Sequence, residues 1–170
     1  MSRQRWGLLG QDKAASRGLG MVARVSCLLD SPDLRAMRKD IHSPKVEGVA
    51  MAVVREPDDA GEAAWYVYLI NLRDDTLENV LVSSRGYGEL EGEPRKTSEM
   101  RHFLQRLGPK SWARIERIVE DVFGLSNQYW LSFYIGRELH DKKYIFLPES
   151  ISEEHFTNLP LMDKRGVMIE

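Results

Sequence analysis

Two aromatic-rich alternating runs constrain the fold of this chain more than any other feature. Trp65-Tyr66-Val67-Tyr68-Leu69-Ile70-Asn71-Leu72 and Tyr129-Trp130-Leu131-Ser132-Phe133-Tyr134-Ile135-Gly136 both mix aromatic with β-branched and aliphatic residues. Such side chains suit a pleated, half-buried surface and lose rotamer freedom against a helical turn. The runs predict two central strands of a mostly β domain.

The remaining segments extend that reading. Residues 45–55 are a small-apolar run, read as a buried strand, and Pro57-Asp58-Asp59-Ala60-Gly61 is a turn. A third strand covers residues 77–85, an exposed glycine- and glutamate-bearing loop follows over 86–94, and 98–107 reads as a fourth strand. Residues 111–124 are ambiguous, because Ile115, Ile118, Val119 and Val122 have helical spacing where a sandwich needs another strand. The reading adopted is a strand to Ile118 and a helical turn over 119–123. Residues 127–139 form the sixth strand, 140–143 a tight turn and 144–147 its hairpin partner, and Ser150 with Glu153 has capping-box spacing. About seven short strands at such intervals predict an immunoglobulin-like antiparallel β-sandwich with one or two short helical turns.

Composition and charge narrow the function classes. A chain of 170 residues, 42% hydrophobic and 29% charged, can bury one core without disulfides or a metal. Cys27 is the single cysteine, which excludes an internal disulfide and a multi-cysteine metal site. No run reaches the ~18–20 apolar residues of a membrane span, and the nearest apolar stretch, 19–29, is broken by Arg24. A cytoplasmic protein without membrane attachment is expected. Residues 1–36 carry six basic and three acidic residues, whereas the rest carries 18 basic and 23 acidic, so a +3 leader precedes a −5 body. An acidic body is a poor footprint for nucleic-acid phosphates, so nucleic acid is not the favoured partner. The leader shows no sustained period. Residues 1–36 are therefore expected to be a disordered arm, or untranslated upstream sequence with Met37 as initiator; 37–158 the sandwich; and 159–170 an apolar tail packing on the domain or a partner.

Four stretches carry a family likeness. Glu78-Asn79-Val80-Leu81-Val82-Ser83-Ser84-Arg85-Gly86-Tyr87-Gly88, Glu120-Asp121-Val122-Phe123-Gly124-Leu125-Ser126-Asn127-Gln128-Tyr129-Trp130, Asp141-Lys142-Lys143-Tyr144-Ile145-Phe146-Leu147-Pro148-Glu149 and Lys164-Arg165-Gly166-Val167-Met168-Ile169 resemble a family of small bacterial proteins often described as phenylalanyl-tRNA synthetase subunit alpha. The likeness spans roughly residues 37–170. A more distant one, over 64–147, is to the β-sandwich domain that accompanies Smr domains in a MutS2-related bacterial family. These resemblances imply an accessory role in translation or at nucleic acid.

The residues themselves point more strongly to binding than to catalysis. Ser83-Ser84-Arg85-Gly86-Tyr87-Gly88 leaves a strand and could cradle a phosphate on backbone N–H groups, with Arg85 and Tyr87 at hand. It fails the dinucleotide fingerprint and lacks the P-loop lysine. His42, His102, His140 and His155 stand singly without zinc spacing, and no Gly-x-Ser-x-Gly elbow exists. Asp74-Asp75 and Glu89, Glu91 and Glu93 match no EF-hand. No catalytic residue, metal or cofactor is therefore expected, with a small enzyme built on residues 83–88 as the remaining alternative. If Tyr129, Leu131, Phe133 and Ile135 face the core, Trp130 and Tyr134 share the opposite face, and Trp112 likewise points away from Ala113 and Ile115. Trp112, Trp130, Tyr134, Arg85 and Tyr87 are the binding candidates, and a protein partner or self-association is the expected use.

Overall fold

The computed structural model describes residues 45–90 and 92–170. The alternating runs become strands, which pair into two antiparallel sheets. The first sheet has the order β6 (Ser111–Ile118), β2 (Ala63–Asn71), β1 (Val49–Pro57), β10 (Arg165–Ile169), β9 (Thr157–Asn158). In the second, β3 (Leu77–Leu90) pairs on one side with β7 (Ser126–Ile135), which continues to β8 (Glu138–Phe146). Its other side takes β5 (Met100–Leu107) along residues 77–84 and β4 (Glu93–Lys96) along 87–90. Single 3-10 turns at Glu120–Val122 and Glu153–His155 are the helical elements among the described residues.

One apolar core joins the sheets. Val49, Met51 and Val53 of β1 and Val67 and Leu69 of β2 belong to the same buried cluster as Val80, Val82, Leu131 and Phe133 of the second sheet. The Tyr144 hydroxyl, buried in that core, donates to the Val49 carbonyl at 2.7 Å and ties the sheets together. β1 and β2 are buried on both faces: Ala50, Ala52, Val54, Tyr66, Tyr68 and Ile70 form a second cluster on the outer side, which Leu159 and Met162 join. Near-continuous apolar sequence in both strands is the signature of such two-sided burial.

Several expectations are corrected. The expected mostly β, sandwich-like arrangement of antiparallel sheets with short helical turns is present, built among the described residues from ten strands where about seven were expected. Residues 83–88 are not a loop, because β3 runs through them and Ser83 to Tyr87 pair with Trp130 to Ser126. The glycine at 86 serves close packing: a Cβ there would lie 3.0 Å from Thr97 Cγ2, while Thr97 both accepts from and donates to the Gly86 backbone. The β7–β8 turn falls at Gly136 and Arg137, with Gly136 at φ 60°, not at 140–143. His140 and Lys142 instead point inward from an edge strand, His140 stacked on Phe133 at 5.3 Å and Lys142 donating to the Val46 carbonyl. Ser152, not Ser150, caps the last 3-10 turn. Within 159–170, expected to pack on the domain or a partner, β10 lies inside the first sheet between β1 and β9. The expected strand to Ile118 followed by a helical turn is observed. The expectations for 1–36, Met37, Cys27 and His42 lie outside the described residues.

Candidate functional site

Two places gather chemistry-bearing side chains. The first is the outer face of the second sheet. Its parity follows the sequence: Tyr129, Leu131 and Phe133 are buried, while Trp130 is 42% and Tyr134 38% exposed. β3 and β8 add exposed apolar side chains on the same side. Leu81 pairs with Phe103 of β5 and with Ser132, Tyr134 pairs with Leu139, and Ile145 sits opposite Gln128. Trp130 lies opposite Ser83 and Lys143, diagonal to both Leu81 and Ile145, within reach of an indole ring. The Lys143 ammonium stands 4.9 Å from the Trp130 ring centre. Arg85 shares this face, its Nη2 donating to Gln128 Oε1 at 3.3 Å and its guanidinium 5.7 Å from the Tyr87 ring. A groove of about 270 Å³ is lined by Ser83, Ser84, Arg85, Glu99, Gln128 and Trp130.

Four of the five binding candidates thus share one face, and Trp112 does not. It stands on β6 of the other sheet, opposite Ile70, edge-to-face with Tyr68 at 5.4 Å and beneath the Lys164 ammonium at 5.5 Å. Lys164 also bonds Glu56, whose carboxylate accepts from the Tyr68 hydroxyl. Burial pulls the Glu56 carboxyl up, but the bonds from Lys164 and Tyr68 outweigh it and hold it below 4.5. Trp112 therefore belongs to a cage that fastens the β9–β10 connection to β1 and β2.

The second place lies between the sheets. Glu116 Oε2 accepts from Ser84 Oγ at 3.0 Å and lies 2.7 Å from His102 Nε2, and its side chain is 8% exposed. A β-bulge delivers it there. Along β6, Ala113 pairs with Leu69 and Arg114 with Tyr68, but Glu116 rather than Ile115 faces Val67. The extra residue turns Glu116 toward the core, which is what bulges do beside functional sites. Tyr129 adjoins it, and burial, reinforced by the Glu116 charge and hydrogen bond, keeps its phenol well above 10.0. A cavity of about 170 Å³ opens over Ser84, Glu116 and Tyr129, walled by Ile118, Val122 and Asn127.

Residue-by-residue reading missed this cluster because strict alternation points Arg117 inward in place of Glu116. The signal was present: inward Ile115 followed by an apolar Ile118 breaks period two. The other described histidines stay apart, with His140 Nε2 3.6 Å from Glu138 and His155 Nδ1 on the Ser150 carbonyl. Asp74 and Asp75 are paired with Lys110 and Arg73. Among the described residues no three His, Cys, Asp or Glu side chains are grouped to hold a metal ion, and no helix is long and apolar enough to cross a membrane. No protein-family model matches the chain, and no curated protein matches it.

Proposed function

We propose that this protein is a non-enzymatic, immunoglobulin-like interaction module of the bacterial cytoplasm that binds a protein partner on the outer face of its second sheet. One observation carries the reading: Leu81, Phe103, Trp130, Tyr134, Leu139 and Ile145 are all exposed, on four neighbouring strands of one sheet. Contiguous exposed apolar side chains centred on an indole are the usual anatomy of a binding surface. Scattered single apolar residues would carry no such weight. Capture from native lysate with the full chain as bait, with and without nuclease, tests it. A partner that survives nuclease but is lost with Phe103→Ser, a residue 62% exposed, supports the module. Material released by nuclease would favour the accessory role at nucleic acid that the family likeness implies.

The convergence of Ser84, Glu116 and His102 supports a second reading, a small enzyme working in the interior cavity. Its bond order argues against serine hydrolysis. In such triads histidine stands between serine and carboxylate, whereas here Glu116 stands between Ser84 and His102. A structural tie between strands accounts for the same geometry.

A further inference from the structure

The outer face is not uniformly apolar, and charged side chains surround its central indole. Around Trp130 stand three cations, Arg85, Arg101 and Lys143, against two carboxylates, Glu99 and Asp141. Glu99 is taken up by Arg101, which reaches it through Nε and Nη2 at 3.1 Å each. Lys143 and Arg85 have no carboxylate within ion-pair distance among the described residues. Lys143 rests on the Trp130 ring, and among the described residues Arg85 makes one hydrogen bond, to the neutral Gln128 amide, with no partner at its Nε. A half-covered guanidinium that meets only an amide and a phenol ring is an uncompensated charge, and guanidinium groups pair best with carboxylates through two parallel bonds. Away from that indole the face is different. There Glu78 stands between Arg106 of β5 and Tyr134, beside Leu139.

We infer that the groove lined by Ser83, Ser84, Arg85, Glu99, Gln128 and Trp130, in which the Glu99 carboxylate is already taken up by Arg101, takes an acidic side chain of the partner, with flanking apolar residues of the same segment lying on Leu81, Phe103 and Ile145. This rests on the proposed interaction face and specifies what that face reads. Arg85 holds the carboxylate, Lys143 adds charge, the Ser83 hydroxyl is within the same groove to donate, and the Trp130 indole covers the apolar neighbour. The groove, about 270 Å³, has room for one side chain rather than a folded element. Asp141, opposite Ser132, disfavours a second acidic residue along β8, so the segment carries a single carboxylate among apolar residues.

The test uses two blocked tetrapeptides, Leu-Glu-Leu-Phe and Leu-Gln-Leu-Phe, titrated against the full chain while the Trp130 indole N–H and Arg85 side-chain resonances are followed. The glutamate peptide is expected to bind at least about tenfold tighter and to shift both resonances. Arg85→Gln should erase that ratio, and Phe103→Ser should weaken both peptides alike. Equal affinities, with Trp130 shifting for both, would overturn carboxylate recognition and leave the apolar interaction face standing. Failure of both peptides to shift Trp130 would also overturn the inference, and the lysate capture would then decide the interaction face alone.

Discussion

Replacing Gly166 with alanine should destabilise this domain more than alanine at any other described glycine. Gly166 lies in β10, paired with Val54 of β1 on one side and Thr157 of β9 on the other. A Cβ there would sit 2.4 Å from the Val53 carbonyl oxygen and 3.2 Å from Val54 Cγ2. The obstructing atom is backbone, so relief requires β10 to move off β1 across the four paired positions that hold it. Overpacking a tight interior costs about 1–3 kcal/mol, and a backbone collision puts this case at the upper end or beyond. At 2–8 °C per kcal/mol for domains of this size range, the melting temperature should fall by roughly 10 °C. Gly108→Ala is the control, because its nearest neighbour would be Ser111 Oγ at an ordinary 3.6 Å. That variant should stay within about 0.5 kcal/mol of the parent. Calorimetry and circular dichroism melts of the full chain read both. A Gly166→Ala protein as stable as the parent would refute the placement of the C-terminal stretch inside the first sheet.

Three further outcomes follow from named contacts. Tyr144→Phe leaves the Val49 carbonyl without its donor in the core and should cost about 1–2 kcal/mol, read as a lower urea midpoint with an unchanged slope. Glu116→Ala strips the acceptor from Ser84 and His102 together and should cost about 2–3 kcal/mol, with Glu116→Gln milder because it keeps an acceptor oxygen at the same reach. Burial, followed by the Glu170 charge, lifts Tyr144, and burial, followed by Glu116, lifts Tyr129, both above 10.0. The unfolded chain therefore releases these protons at lower pH than the native chain does. Stability should be full below pH 10.0 and fall as pH rises past it, with a shallower fall in Tyr144→Phe, in urea midpoints measured across that range.

Much of the fold was legible because period two is a local signal. The inward set Tyr129, Leu131 and Phe133 and the outward Trp130 and Tyr134 follow from alternation alone, and the structure keeps that parity. What failed to show was set by partners distant in sequence. Residues 86–90 look like a loop, yet they continue β3 because Pro94 to Lys96 come back to pair with them. His140 to Lys143 look like a turn, yet polar residues there belong to a strand whose second side meets no other strand among the described residues. The placement of β10 depends on β1, more than a hundred residues away in the chain. Trp112 reads correctly as outward, but outward from the opposite sheet, which single-strand parity cannot reveal. The Glu116 cluster needed the bulge at Ile115, which appears in sequence only as a break in alternation.

The most direct test of the central claim compares two tryptophans on opposite sheets. The full chain, Trp130→Ala and Trp112→Ala should be used as matched baits in one lysate, each with its melting temperature measured. If the outer face of the second sheet binds, Trp130→Ala loses the partner while Trp112→Ala retains it. Retention by Trp130→Ala with loss by Trp112→Ala, or retention by both, would contradict that face as the binding surface.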